Sequence, residues 1–202
     1  MTAKLRVRGF VVAGMMYVAL AASLSGAAES FEPAADGWHS WIVPAPPGAG
    51  VHCCHSWSGA SAKPCACDLE SGHGGLFGHG NTPGLSGDTR IYVLMEAGQP
   101  NRIAALSPYC EVHTATTITD HGSLNADASA DWLRQFVGAD SRVASQALAA
   151  LALHAGDHAL QVLIGMVESG SDDTLREEAL FWLIQSGSDA GFAYVDRLLT
   201  AD

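Results

Sequence analysis

Basic residues are scarce: 10 Lys and Arg stand against 21 Asp and Glu in 202 residues, and Lys4 and Lys63 are the only lysines. So acidic a chain repels phosphate backbones and anionic lipid headgroups, which argues against nucleic acid and membrane surfaces as partners and favours cations and basic protein patches. Long apolar runs are also missing. The longest uncharged one, residues 10–24, falls short of the roughly 20 residues that cross a bilayer as a helix. Enzyme signatures are absent: there is no Gly-x-Ser-x-Gly elbow and no phosphate-binding Gly-x-x-x-x-Gly-Lys. The run Gly72-His73-Gly74-Gly75-Leu76-Phe77-Gly78 has the wrong final spacing for a dinucleotide fingerprint and no helix pattern after it. Neither a catalytic residue nor a cofactor is expected.

What is present at the N-terminus is an export pattern. Lys4, Arg6 and Arg8 precede the apolar run, and Ser25-Gly26-Ala27-Ala28 follow it. This is the order of a secretory signal peptide, residues 1–27, cleaved after Ala27 or Ala28. Its removal takes three basic residues and no acid from a formal charge of −11, leaving −14. A periplasmic or secreted location is expected, with no stable membrane insertion after cleavage.

Composition changes midway. Residues 28–126 hold all five cysteines and most of the Gly and Pro, whereas residues 127–202 are rich in Ala and Leu and contain neither Pro nor Cys. The expected fold is α+β, with a small disulfide-braced, β-rich N-terminal module followed by an all-α module of helical repeats. In the first, residues 38–43 and 51–57 carry β-formers. Residues 91–97 and 102–106, joined by Gly98-Gln99-Pro100-Asn101, read as a hairpin. A glycine-rich loop spans residues 72–87.

In the second module, apolar positions recur at intervals of three and four, bracketed by capping residues and glycines. Five helices follow: residues 128–137, one from 141 that stops at Gly156, one from 157 to Gly170, one capped by Ser171 or Asp172 that stops at Gly187, and one from Ser188. The last is expected to bury Phe192, Val195, Leu198 and Leu199, and the fourth Leu175, Ala179, Leu180, Leu183 and Ile184. Trp132 and Trp182 are expected in the core. Ala147-Leu148 aligns with Ala179-Leu180, Leu151 with Leu183, Leu163 with Val195 and Met166 with Leu198, at a constant offset of 32 residues. Such an offset marks a helix-pair repeat whose units cover one another.

The cysteines are Cys53, Cys54, Cys65, Cys67 and Cys110, an odd count for an oxidising compartment. Adjacent Cys53 and Cys54 would project to opposite sides of an extended strand and so take different partners. Cys110 would tie the hairpin to the strand that carries Cys53 and Cys54, Cys67 would take the other thiol of that pair, and Cys65 is spare. The spacing leaves the connectivity open. The competing use is a copper or zinc site, for which His52, His55, His73 and His79 are the candidate ligands.

The aromatic strand, Cys53-Cys54, Cys67-Asp68-Leu69-Glu70, Ser107-Pro108-Tyr109-Cys110 and the helix pairs together resemble exported bacterial proteins with HEAT-like repeats of the PBS-lyase type. The resemblance spans nearly the whole chain beyond residue 27. It brings no catalytic residue with it. The 32-residue register beside a cysteine cluster without a catalytic constellation leads to the expectation of a non-enzymatic scaffold, and Asp172, Asp173, Glu177 and Glu178 at a helix start favour a protein partner with a basic patch.

Overall fold

The computed structural model describes residues 31–200 apart from 34, 48, 59–60, 72–86, 139–140 and 171. The expected signal peptide and most of the glycine-rich loop lie outside the described residues. The fold is mixed. Among the described residues eight strands come first: β1 (Gly37–Pro44), β2 (His55–Ser58), β3 (Ser61–Pro64), β4 (Cys67–Asp68), β5 (Asp88–Glu96), β6 (Gln99–Leu106), β7 (Val112–His113) and β8 (Ile118–Ser123). Five helices follow: α1 (Ala126–Arg134), α2 (Ser141–Ala152), α3 (Asp157–Ser169), α4 (Asp173–Gln185) and α5 (Asp189–Thr200).

The principal sheet has the order β6-β5-β1-β8, with β5 antiparallel to β6 and to β1, and β8 parallel to β1. The hairpin differs from the expected one in its turn. Only Ala97 and Gly98 lie outside the strands, both with positive φ (51° and 72°), which is the backbone of a tight two-residue turn whose twist suits the flanking strands. Gln99, Pro100 and Asn101 instead belong to β6. Pro100 is tolerated there because β6 is an edge strand, and the register slips beside it, between Leu94 and Met95. The expected strand at residues 51–57 shrinks to β2, so Cys53 and Cys54 precede the strand rather than sit within it.

The sheet separates two apolar layers because successive side chains alternate between its faces. Trp41, Val43, Ile91, Val93, Met95, Ile103 and Ala105 point one way, into a core they share with Trp132 and Leu133 of α1, Ala147, Leu148 and Leu151 of α2, Leu160 and Leu163 of α3, and Leu183 of α4. Trp38, Tyr92 and Leu106 point the other way, against Cys54, Cys67 and Leu69. The composition shift near residue 127 thus falls at the start of α1, while the larger core runs across it.

Helices α1, α4 and α5 begin where a side chain satisfies free amides. Asn125 accepts from the amides of Asp127 and Ala128, Asp172 from those of Thr174 and Leu175, and Ser188 Oγ from that of Gly191. Helix α1 packs on β1, α2 and α3; α2 covers β6; α4 lies against α2 and α3; α5 lies mainly against α4. Helix α5 departs from expectation. It buries Gly191 and Tyr194, while Phe192, Leu198 and Leu199 are exposed, as is Ile184 of α4. The 32-residue correspondence accordingly holds for Ala147 with Ala179 and Leu151 with Leu183, all buried, but not for Met166, partly buried in the core, with the exposed Leu198.

A polar chain crosses the larger core. Trp41 Nε1 lies 2.7 Å from Ser129 Oγ, Ser129 Oγ lies 2.8 Å from His154 Nε2, and His154 Nδ1 lies 2.8 Å from the Ala150 carbonyl. The protons can be placed from the ends inward. A carbonyl only accepts, so His154 Nδ1 carries the hydrogen and Nε2 is bare; an indole only donates, so Ser129 accepts from Trp41 and donates to His154. The chain works only with neutral imidazole, and burial holds His154 down at about 4.

The unfolded chain takes up this proton near pH 6.5 and the folded chain only near 4. Stability is therefore whole above 6.5 and falls as pH drops through that window, by about 3 kcal/mol in all. Urea unfolding at steps from pH 7 to 4 measures this slope, and His154→Gln flattens it. Ser129→Ala strands a buried donor and a buried acceptor, and the expected cost at pH 7 is about 2 to 4 kcal/mol.

Candidate functional site

The five cysteines converge on the sheet face turned away from the helices. Cys53 is bonded to Cys110 and Cys54 to Cys67, leaving Cys65 as an exposed thiol. The two neighbours take different partners because the chain crosses between two anchor points there. Ser107 donates its amide to the His52 carbonyl, and its hydroxyl accepts from the His52 amide at 3.0 Å, which brings Cys110 beside Cys53. The Cys65 amide donates to the Cys54 carbonyl, which brings the β3–β4 segment beside Cys54. Cys54 and Cys67 are buried with Trp38, Leu69, Tyr92 and Leu106.

Glu70 closes this layer. Its Oε1 accepts from Trp38 Nε1 at 3.2 Å, Thr114 Oγ1 at 2.6 Å and the Ala115 amide at 2.9 Å. The bond from Thr114 leads in holding its carboxyl below the ordinary range. Asp120 is lowered likewise, first by the bond from Arg90, whose Nη1 lies 3.0 Å from Oδ2 and also donates to Ser40 Oγ.

Of the histidines considered as metal ligands, the described residues include His52 and His55. His55 turns its Nδ1 onto the Cys53 carbonyl at 3.1 Å, and His52 is half-buried on the preceding turn. His73 and His79 lie outside the described residues. Among the described residues no group of three or more His, Cys, Asp and Glu side chains is gathered as a metal site. The structure brings together a different pair, His39 and His121, with His39 Nδ1 2.9 Å from His121 Nε2 and the rings stacked. His39 Nε2 donates to the Ala35 carbonyl at 2.8 Å. Burial, and then His39 itself, push His121 below its usual value. The pair ties β8 to β1. Nothing in the local sequence reveals it, since 82 positions separate the partners.

Ser129 and His154 have the separation of a nucleophile and its base, yet they are not placed to act as one. Ser129 is fully buried, its oxygen is occupied by Trp41, and the imidazole is oriented by a backbone carbonyl rather than a carboxylate.

The surface feature that stands out lies on the last helical hairpin. Six large apolar side chains are exposed among the described residues, and five of them, Phe181, Ile184, Phe192, Leu198 and Leu199, belong to α4 and α5. The same two helices and the cap of α4 expose the acids Asp172, Asp173, Glu177, Asp189 and Asp196 and the bases Arg176 and Arg197. Arg176, the cation of α4, is held by Asp173 at 2.8 Å. No helix among the described residues is long and apolar enough to cross a membrane. No protein-family model, curated protein or solved structure matches the chain.

Titration with a thiol reagent in denaturant without reductant is expected to count one thiol per chain, and none after Cys65→Ser. Losing the Cys53–Cys110 bond opens a loop of 57 residues and losing Cys54–Cys67 one of 13. By the chain-entropy relation the expected costs are about 4 and about 3 kcal/mol, read by urea unfolding of the paired Cys→Ser variants.

Proposed function

We propose that this chain is an exported, non-enzymatic binding protein that uses HEAT-like helical hairpins to hold a protein partner with a basic patch. The observation that supports this reading is the open apolar face of α4 and α5, on helices that also expose these acids. Phe181 and Phe192 are 45% and 49% exposed and Leu199 is 82% exposed, on helices whose other residues reach the shared core. Exposed apolar residues gathered on one element rather than scattered mark interaction sites. The acids decide between occupants. A second copy of this face would set like charges against each other, whereas a helix with apolar residues on one side and Lys or Arg on the other satisfies both features. Export follows from the leader pattern and agrees with two disulfides in the chain.

The test uses two synthetic amphipathic helices of 18 residues, identical on their Leu- and Phe-bearing face and carrying either Lys or Glu elsewhere. The Lys peptide is expected to bind the oxidised chain in the micromolar range and to weaken as salt rises. Phe181→Ser, Phe192→Ser and Leu199→Ser are each expected to weaken it about tenfold or more, and Leu199→Ser, at the most exposed of the three, to do so without changing the unfolding midpoint. Equal binding of both peptides, or indifference to all three substitutions, overturns the reading.

A further inference from the structure

The turns within the two helical hairpins border a cleft. It has a volume of about 280 Å³ and lies where the α2–α3 turn, the α4–α5 turn and Pro46-Pro47 beyond β1 come together. Its walls are fixed from behind. The Ala155 amide donates to the Pro44 carbonyl at 2.8 Å and Thr89 Oγ1 to the Leu153 carbonyl at 2.9 Å, so the α2–α3 turn is tied to β1 and β5 on either side. Gly156, at φ 95°, turns the chain into α3 there, and the paired prolines stiffen the facing wall.

The lining is apolar where it is deep and acidic where it is open. Leu151, Leu160 and Leu163 are buried side chains of the core that also face the cleft. The polar groups among the walls are already used: His154 spends both nitrogens on Ser129 and Ala150, Ser186 Oγ donates to the Leu183 carbonyl, and Ser188 Oγ accepts from the Gly191 amide. An apolar body entering the cleft therefore breaks none of these side-chain bonds. Of the charged types, the lining holds Asp157, which is exposed, and no Lys or Arg. Since an enclosed space of about 150 Å³ takes a benzene ring, this one takes a body of about ten non-hydrogen atoms.

We propose that the cleft between the α2–α3 and α4–α5 turns binds a small organic cation with a compact apolar body, of the arylalkylammonium class, its ring against Leu151, Leu160 and Leu163 and its charge toward Asp157. This site is independent of the protein-binding face and uses none of its exposed residues.

The probes are phenethylammonium, 2-phenylethanol and phenylacetate, which share a body and differ in charge, titrated into the intact oxidised chain while amide NMR shifts are followed. Phenethylammonium is expected to give saturable shifts at Gly156, Asp157, Ser188 and Ala190, with phenylacetate about tenfold weaker or more and the alcohol between them. Asp157→Asn, which leaves the volume unchanged, is expected to erase most of that difference. Ala190→Trp, at an exposed wall position, is expected to abolish binding of all three while the remaining amide spectrum is kept. Absence of saturable shifts at millimolar probe, phenylacetate binding as well as the amine, or unchanged binding in Ala190→Trp would overturn the proposal. Should Ala190→Trp disturb the spectrum globally, the response to Asp157→Asn decides.

Discussion

The hydrogen-bonded chain from Trp41 through Ser129 to His154 is the constraint on which the arrangement of sheet and helices depends. An indole N–H buried at the middle of a sheet has to find an acceptor, or the burial of the ring is offset by a stranded donor. Here the acceptor comes from α1, and that acceptor is in turn satisfied by the residue just beyond α2. Three elements far apart in sequence are thereby fixed in distance and in orientation, which apolar contact alone does not do. Phe31, Trp132 and Phe136 then pack edge to face around the same point, with Phe31 and Trp132 against the Trp41 ring and Phe136 against that of Trp132. Because every proton in the chain has one allowed position, the fold also carries a fixed requirement for neutral imidazole.

The two faces of the sheet solve different problems. Toward the helices, enough Leu, Ile, Val and Trp converge to hold the layers by burial, and Gln146 adds direction by accepting the Ile103 amide of the edge strand at 2.9 Å. Away from the helices six buried side chains gather among the described residues, two of them cysteines. That is too little apolar area to order loops that run from residue 51 to 71 and from 107 to 117, and covalent closure supplies what burial lacks. Glu70 works in the same direction by gathering three donors from two separate segments onto one oxygen.

What could be read from the sequence follows from this division. The helices were legible because their signals are local: Asn125, Asp172 and Ser188 sit at the starts, glycines at the ends, and the apolar period runs between them. Strands β1 and β5 were legible because they carry Trp, Ile and Val on a buried face. Strand β8 was not, since five of its six residues are exposed and Thr119-Asp120-His121-Gly122 has no apolar alternation. It forms by parallel pairing with β1 and by the contacts of Asp120 and His121, all long-range. The polar chain and the cleft were hidden for the same reason, as Ser129 and His154 look like ordinary helix and turn residues until the third dimension sets Trp41 beside them. Periodicity overstated the burial of α5. It shows which side of a helix is apolar, and says nothing of whether another element lies against that side.

This last distinction bears on how the helical hairpins are closed. A stack of helix pairs is stable only when each apolar side meets a neighbour, and two pairs by themselves leave both ends bare. At one end the need is met within the chain: α1 and the sheet, through β1 and β6, cover α2 and α3, and the larger core passes without interruption from strand to helix. At the other end α5 rests on α4 through Gly191 and Tyr194 and turns Phe192, Leu198 and Leu199 outward. The energetic asymmetry follows from that arrangement. The sheet side is sealed by burial and by directional bonds that fix its geometry, whereas the α5 side retains apolar area whose removal from water would add stability at roughly 25 cal/mol per Å² to any complex that covers it. The acids along α4 and α5 oppose a covering surface of the same sign.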